Sequence, residues 1–352
     1  MTDATLPPGP FQITVQPSGR QFSVDSGEAI LPAAIRQGVG MPYGCKDGAC
    51  GSCKCRKLEG TVVHGVHQSK ALSAEEEAAG LILTCCAVPQ TDVLLESRQV
   101  TDESAFPVRK MPARVSSLEK VSHDVMILKL QLPANDTLRY HAGQYVEFIL
   151  RDGARRSYSM ANAPHNGPGV ELHIRHMPGG KFTDHVFTAM KEKEILRVEG
   201  PFGSFFLRED STKPMILLAS GTGFAPIKAL LEHMQAKGIQ RESTLYWGGR
   251  RPADLYMDAW VRERMAQMPN LKYVPVISNA LPEDNWTGRT GFVHKAVMQD
   301  VPDLSGHQVY ACGAPIVVDS ARDEYSAQCG LPAEEFYADS FTSEADKHGK
   351  QA

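Results

Sequence analysis

Cysteine placement constrains this chain more than any other feature. Of its eight cysteines, six lie between Cys45 and Cys86, and three of these, Cys45, Cys50 and Cys53, are spaced C-x4-C-x2-C, with a further thiol available at Cys85 or Cys86. That is the spacing of plant-type 2Fe-2S ligation. Two irons need four converging thiolates, and the loop must lay its backbone against the sulfurs, an approach that Gly44, Gly48 and Gly51 permit. A zinc site is the competing chemistry, but zinc sites usually pair two C-x2-C knuckles and a second one is missing. A Rieske centre needs two histidines in place of two cysteines, and His64 and His67 stand outside the loop, where they are expected at the surface. In an extended segment neighbours face opposite ways, so Cys85 and Cys86 are not expected to reach one cluster together.

At 352 residues the chain is long enough for two or three domains. Its 42% hydrophobic and 22% charged content is that of an ordinary globular protein. No apolar run approaches the ~18 residues of a membrane span, and Met1 to Pro10 shows no signal-peptide pattern, so a cytoplasmic protein without membrane contact is expected; a monomer is expected as well. In such a setting a cysteine cluster points to metal rather than disulfides. The net charge of −4 resides in residues 1 to 106, with 8 basic and 12 acidic side chains; the remainder has 29 of each. Without a basic excess, nucleic-acid binding is not expected.

Alternation in Phe11, Ile13, Val15, then Pro17-Ser18-Gly19, then Phe22 and Val24 predicts a β-hairpin. Helices are predicted from Glu28 to Gln37 and from Ser73, where Ser73-Ala-Glu-Glu76 forms a capping box and Gly80 supplies the stop. Thr101 to Pro112 is the expected linker. From Ala113 to about Arg208, strands at Val125 to Leu132, Tyr145 to Leu150 and Val170 to Ile174 predict an antiparallel barrel or sandwich. After Pro214 strands alternate with helices: Met215 to Ala219, a helix at Ala225 to Lys237, then Thr244 to Trp247, Tyr273 to Ile277 and Val309 to Cys312. That order predicts a parallel sheet covered on both faces.

Two segments carry further chemistry. In Arg156-Ser-Tyr-Ser159, a cation, an aromatic ring and a hydroxyl fall within four residues, which suits a flavin and its diphosphate. Gly179-Gly-Lys-Phe-Thr183 precedes a helix predicted at Asp184 to Met190, where free N–H groups face phosphate. His173 and Arg175, on the alternating strand before it, join Arg156, Tyr158, Ser159, Gly180 and Thr183 as candidate cofactor residues. Gly221-Thr-Gly-Phe-Ala-Pro226 follows a strand and opens a helix, the context of a dinucleotide turn.

Together Tyr43-Gly-Cys-Lys-Asp-Gly-Ala-Cys-Gly-Ser-Cys-Lys54, Leu83-Thr-Cys-Cys86, the R-x-Y-S string, Gly221 to Pro226 and Tyr310-Ala-Cys-Gly-Ala-Pro315 resemble, in order and over essentially the whole chain, the ferredoxin-first reductases of the ferredoxin–NADP reductase superfamily. The resemblance implies a β-grasp 2Fe-2S domain at 1–106, an antiparallel β-barrel FAD domain at 107–208 and an α/β parallel-sheet nicotinamide domain at 209–352. It selects Cys85 as the fourth iron ligand and leaves Cys55 and Cys86 as packing residues. It implies that Gly221, Thr222, Gly223 and Pro226 receive the NAD(P)H pyrophosphate, that Cys312 and Gly313 lie beside the nicotinamide, with Cys312 and Ser159 catalytic, and that Phe341 guards the flavin ring.

The implied activity is electron transfer from NADH through FAD and the cluster to an acceptor protein. The nearest likeness is to the reductase partners of CDP-4-dehydro-6-deoxyglucose dehydrases; the alternative is the reductase component of an aromatic-ring dioxygenase or phenol hydroxylase. A redox sensor without turnover and a reductase of free flavins or disulfides are readings of other classes. Arg250 and Arg251 could serve NADPH, although the resemblance favours NADH. Lys46, Lys54, Arg56 and Lys57 form an expected basic docking face around the cluster loop, unless they merely offset the cluster's own charge.

Overall fold

The computed structural model describes residues 8–100, 106–134, 138–167 and 169–343. They form two compact units, one from the segments up to Phe106 and from Ser340 onward, the other Pro107–Asp339. The flavin and nicotinamide segments share the second unit. Among the described residues no helix is long and apolar enough to cross a membrane.

In the first unit, β1 (Phe11–Gln16) buries Phe11, Ile13 and Val15 and pairs antiparallel with β2 (Arg20–Val24), as the alternation predicts. The helix α1 (Ile30–Arg36) starts two residues later than predicted. Glu28 is held before it instead, its carboxylate accepting from Arg36 Nη2 at 2.7 Å and from the Asp25 N–H at 3.2 Å. After the cysteine loop come β3 (Lys54–Glu59), β4 (Val62–His64) and α2 (Ala74–Ala78). The capping box forms: Glu76 N–H donates to Ser73 Oγ (3.2 Å) and Ser73 N–H to Glu76 Oε2 (2.9 Å). The unit closes with β5 (Leu81–Leu83), β6 (Ala87–Pro89) and β7 (Val93–Glu96). The sheet order β2-β1-β7-β3-β5 has a parallel centre, β1 with β7, and antiparallel flanks, a β-grasp arrangement.

The second unit begins with six antiparallel strands. They are β8 (Arg109–Lys120), β9 (Val125–Gln131), β10 (Tyr145–Ile149), β11 (Arg155–Ser159), β12 (Gly169–Arg175) and, after the helix α3 (Lys181–Thr188), β13 (Ile195–Phe202). Their order is β11-β10-β13-β8-β9-β12, and a bridge between Met160 and Leu172 joins the two ends into a barrel. The expected linker is shorter than predicted. Arg109 to Pro112 belong to β8, because Met111 continues the inward alternation of Ala113 and Val115 and pairs with Val198; residues 101–105 lie outside the described ones. The helix α3 begins three residues before its predicted start, directly after Gly180.

A parallel sheet follows, of β14 (Met215–Ser220), β15 (Ser243–Gly249), β16 (Leu271–Ile277), β17 (Arg289–Thr290) and β18 (Gln308–Gly313), with β19 (Phe336–Ser340) at the edge. The helices are α4 (Phe224–Lys237), α5 (Asp258–Gln267), α6 (Val293–Asp300) and α7 (Pro315–Cys329). The order β17-β16-β15-β14-β18-β19 puts β14 inside the sheet, and a tight turn, Gly221–Gly223, links it to α4. Ile216 and Leu218 pack with α6 and α7 residues, while Leu217 and Ala219, of opposite parity, are fully buried on the other face.

Phe148 sits at the centre of the barrel core, stacked on Phe182 with ring centroids 4.4 Å apart. Phe148→Ala should therefore lower the unfolding free energy by ~3 to 5 kcal/mol, read from urea unfolding of the parent and variant by circular dichroism.

Candidate functional site

The cluster loop runs from Gly44 to Cys53, and Gly44 lets it close: a Cβ there would lie 3.3 Å from Cys50 Sγ. The Cys45 N–H points at Cys50 Sγ at 3.4 Å. The four expected ligands are brought together as two hydrogen-bonded pairs, Cys45 with Cys50 and Cys53 with Cys85. Cys45 donates its proton toward Cys50, which draws the Cys50 thiol below its ordinary value and pushes the Cys45 thiol far up. Two facing pairs suit a centre in which each of two irons takes two thiolates. Among the described residues no three His, Cys, Asp or Glu side chains converge as a single metal ion would require.

The structure revises the argument about Cys85 and Cys86. They lie in a turn closed by the Cys86 N–H on the Leu83 carbonyl oxygen at 3.1 Å, not in an extended strand, so parity does not separate them. Cys85 hydrogen-bonds to Cys53 and also to Cys86, whose Sγ in addition leans on the Leu83 carbonyl oxygen at 3.7 Å. Cys55 is buried, and burial pushes its thiol up to about 12.

His64 is not a surface residue. Its side chain is 6% exposed, with Nδ1 2.7 Å from Glu77 Oε1 and Nε2 accepting from the Leu83 N–H at 3.4 Å. The basic residues around the loop are also more engaged than expected. Lys54 pairs with Glu76 at 2.5 Å, Arg56 donates to the Ala79 carbonyl oxygen, and Lys57 to that of Gly60.

In the barrel, strand alternation splits the R-x-Y-S string. Tyr158 turns toward Phe148 and Phe182, making an aromatic wall, and Arg156, on the same face, reaches the Arg155 carbonyl oxygen at 2.7 Å. Ser159 faces the other way, and its buried hydroxyl donates to Asp339 Oδ2 at 2.7 Å. Gly180 precedes α3, whose first N–H groups have no acceptor within the helix. The Thr183 hydroxyl is spent on the turn itself: it donates to the Met177 carbonyl oxygen (2.9 Å) and accepts from the Met177 N–H (3.2 Å). Arg175 pairs with Asp124 at 2.8 Å and places Nη1 3.6 Å from where a Gly221 Cβ would be, so a barrel cation stands at the Gly221 to Gly223 turn.

That turn admits no side chain. A Cβ on Gly223 would fall 2.1 Å from the Cys312 carbonyl oxygen, and one on Gly313, at φ +123°, 2.3 Å from the Ser220 carbonyl oxygen. Thr222 is buried in the turn, Pro226 lies in the first turn of α4, and Trp247 Nε1 holds the Gly221 carbonyl oxygen at 3.0 Å. Cys312 is 1% exposed, and burial, reinforced by the Asp339 charge, holds its thiol neutral. Phe341 follows β19 and is half-buried.

Between the barrel and α4 runs a buried polar network that the motifs did not announce. His173 Nδ1 meets the Tyr256 hydroxyl at 2.8 Å, and its Nε2 meets Glu171 Oε1 at 3.1 Å. The same Glu171 oxygen lies 3.1 Å from Lys228 Nζ, which also reaches Glu232 at 2.6 Å and the Ala161 carbonyl oxygen at 3.1 Å. An ionised Glu171 accepts from Nε2–H, so Nδ1 accepts from Tyr256. Burial pushes the Glu171 carboxyl up, but the His173 hydrogen bond and the Lys228 charge outweigh it and hold it at about 2. No short motif contains Asp339, Tyr256, Glu171, Lys228 or Glu232, so the sequence does not announce them.

Three family models match the chain: a 2Fe-2S iron-sulfur cluster binding domain over residues 13–90, an oxidoreductase FAD-binding domain over 112–207 and an oxidoreductase NAD-binding domain over 217–323. The chain is 40% identical over 331 residues to the CDP-6-deoxy-L-threo-D-glycero-4-hexulose-3-dehydrase reductase of Yersinia pseudotuberculosis, covering 94% of this chain and 98% of that protein. It is 35% identical to reductase component 1 of terephthalate 1,2-dioxygenase from Comamonas, over 96% and 99%. Among solved structures, an Amycolatopsis cytochrome P450 reductase superposes with a TM-score of 0.76 at 34% identity, covering 95% of this chain and 99% of that one.

Because Cys312 is enclosed and its thiol is raised well above the ordinary value, it should resist iodoacetamide at pH 8 in the native protein and react on unfolding. Peptide mass mapping before and after urea checks this; rapid native alkylation would contradict the enclosed thiol.

Proposed function

The chain belongs to the iron–sulfur flavoprotein reductases, NADH-dependent oxidoreductases with 2Fe-2S, FAD-binding and NAD-binding domains in that order, and from that membership we propose its site residues and its acceptor. A bound flavin would supply two-electron exchange with a nicotinamide and one-electron exchange with the cluster. We assign Cys45, Cys50, Cys53 and Cys85 to the cluster. Arg156 and Tyr158 hold the flavin, the cation through the diphosphate and the ring through stacking. The Gly221 to Gly223 turn and Arg175 receive the dinucleotide phosphates.

The observation that carries the reading is the grouping of Ser159, Asp339 and Cys312. Ser159 and Asp339 share a buried hydrogen bond of 2.7 Å, and Asp339 lies close enough to raise the enclosed Cys312 thiol. Ser159 keeps its proton on Oγ and directs it to Asp339, which fixes the hydroxyl. Cys312 offers an uncharged flank that excludes water.

We propose a dehydrase of a nucleotide-linked deoxyhexulose as the acceptor, supported by 40% identity spanning nearly the full length of both chains. A dioxygenase component is the second reading, supported by the terephthalate relative at 35% identity. NADH-driven reduction should be faster with a CDP-hexulose 3-dehydrase than with a ring dioxygenase at equal concentrations; the reverse order would replace the first reading by the second.

Two measurements probe the residues. Cys86→Ser should keep the visible cluster spectrum and Cys85→Ser should lose it, and the opposite pattern would exchange their assignments. Asp339→Asn, which loosens Ser159, should slow single-turnover flavin reduction by roughly 10²-fold through misplacement, with flavin content retained. A rate equal to the parent's would remove Asp339 from the reaction.

A further inference from the structure

At the carboxyl ends of β15 and β16, an ion pair joins two loops. Arg251, just after β15, meets Asp284 through both arms of its fork, Nε to Oδ2 at 2.6 Å and Nη2 to Oδ1 at 2.7 Å. Glu283 Oε1 stands 3.5 Å from the same Nη2. Each partner is anchored. Asp254 Oδ2 accepts the N–H groups of Arg250 (2.8 Å) and Arg251 (3.0 Å), and Asp284 Oδ2 accepts the Leu281 N–H at 2.9 Å. The loops are further laced by the Ser278 and Asn279 N–H groups on the Gly249 and Arg250 carbonyl oxygens, both at 2.9 Å.

The place matters because of how a dinucleotide lies on such a sheet. Its pyrophosphate belongs at the Gly221 to Gly223 turn after β14. The nicotinamide half extends toward β18, where Cys312 stands beside Asp339 and Ser159. Since the strand order is β16-β15-β14-β18, the adenosine half is left with the ends of β15 and β16, the site of the Arg251–Asp284 pair. A ribose with a 2′-phosphate is held best by a guanidinium whose two parallel N–H bonds are free. Arg250 is exposed, so positive charge is present; the fork of Arg251 is what is withheld.

We infer that the Arg251–Asp284 pair determines specificity for NADH against NADPH: Asp284, backed by Glu283, occupies the guanidinium fork that a 2′-phosphate would need and repels that phosphate. This is discrimination by an unfavourable element rather than by an added contact to NADH. It rests on the NADH reading above and deepens it to named residues.

The test uses oxidised holoprotein and two ligands that cannot be turned over, ADP-ribose and 2′-phospho-ADP-ribose, with affinities from calorimetry. The parent should prefer ADP-ribose by about tenfold or more, and Asp284→Asn should narrow the ratio by about tenfold, near 1.4 kcal/mol. Adding Arg251→Ala to that variant should abolish the gain, because the freed fork is then gone. Asp284→Ser repeats the test if the amide disturbs the loop. An unchanged ratio in both Asp284 variants, a gain that survives loss of Arg251, or a parent indifferent to the 2′-phosphate would each overturn the inference. The underlying reading fails separately, if NADH does not reduce the flavin of the parent.

Discussion

The Lys228 ammonium lies 4% exposed between the barrel and α4, where an unpaired charge would be strongly destabilising. It is tolerated because two carboxylates and a carbonyl oxygen surround it, Glu171 from β12, Glu232 from α4 and Ala161 just after β11. Glu232 in turn accepts from the Ala163 N–H at 3.0 Å and from Asn166 at 2.6 Å. Hydrophobic contact is non-directional and would allow the two halves to slide. This network requires particular atoms to meet, so it sets the register in which β11 delivers Ser159 to Asp339 and β12 delivers Arg175 to the Gly221 turn.

The polar network also divides the labour of β12. Leu172 and Ile174 point into the barrel core, while Glu171, His173 and Arg175 face outward toward Lys228, Tyr256 and the dinucleotide turn. One strand thereby packs the barrel core on one face and contacts α4, Tyr256 and the Gly221 turn on the other. Tyr256 extends this edge: it meets Trp247 edge-on at 5.3 Å, and Trp247 stacks on Phe224 at 4.0 Å, tying the loop after β15 to the start of α4.

Local chemistry was readable in advance. The cysteine spacing, the Ser73 capping box, the hairpin alternation and the Gly-rich turn after β14 each fit within fourteen residues, the range over which period and turn chemistry act. What escaped depends on distant meetings. Ser159 and Asp339 are 180 positions apart, and nothing near either announces the other. His64 is drawn inward by Glu77 of α2 and the Leu83 backbone of β5, partners that only the folded unit brings to it. The Lys54 charge looked available for a partner until α2 brought Glu76 to it. Thr183 fitted a phosphate motif by spacing, but its nearest acceptor is the turn that precedes it.

The reciprocal contact of Gly223 with Cys312 and of Gly313 with Ser220 means that β14 and β18 end backbone against backbone, with no room for a side chain between them. Side-chain walls can be enlarged or trimmed one methyl at a time, whereas this edge has no such adjustable part. The span between the Gly221 to Gly223 turn and Cys312 at the end of β18 is therefore gauged by peptide geometry. With the coenzyme placed as proposed, adaptation to a different one would proceed through the side chains of Arg251 and Asp284, while the end beside Cys312 keeps its dimensions.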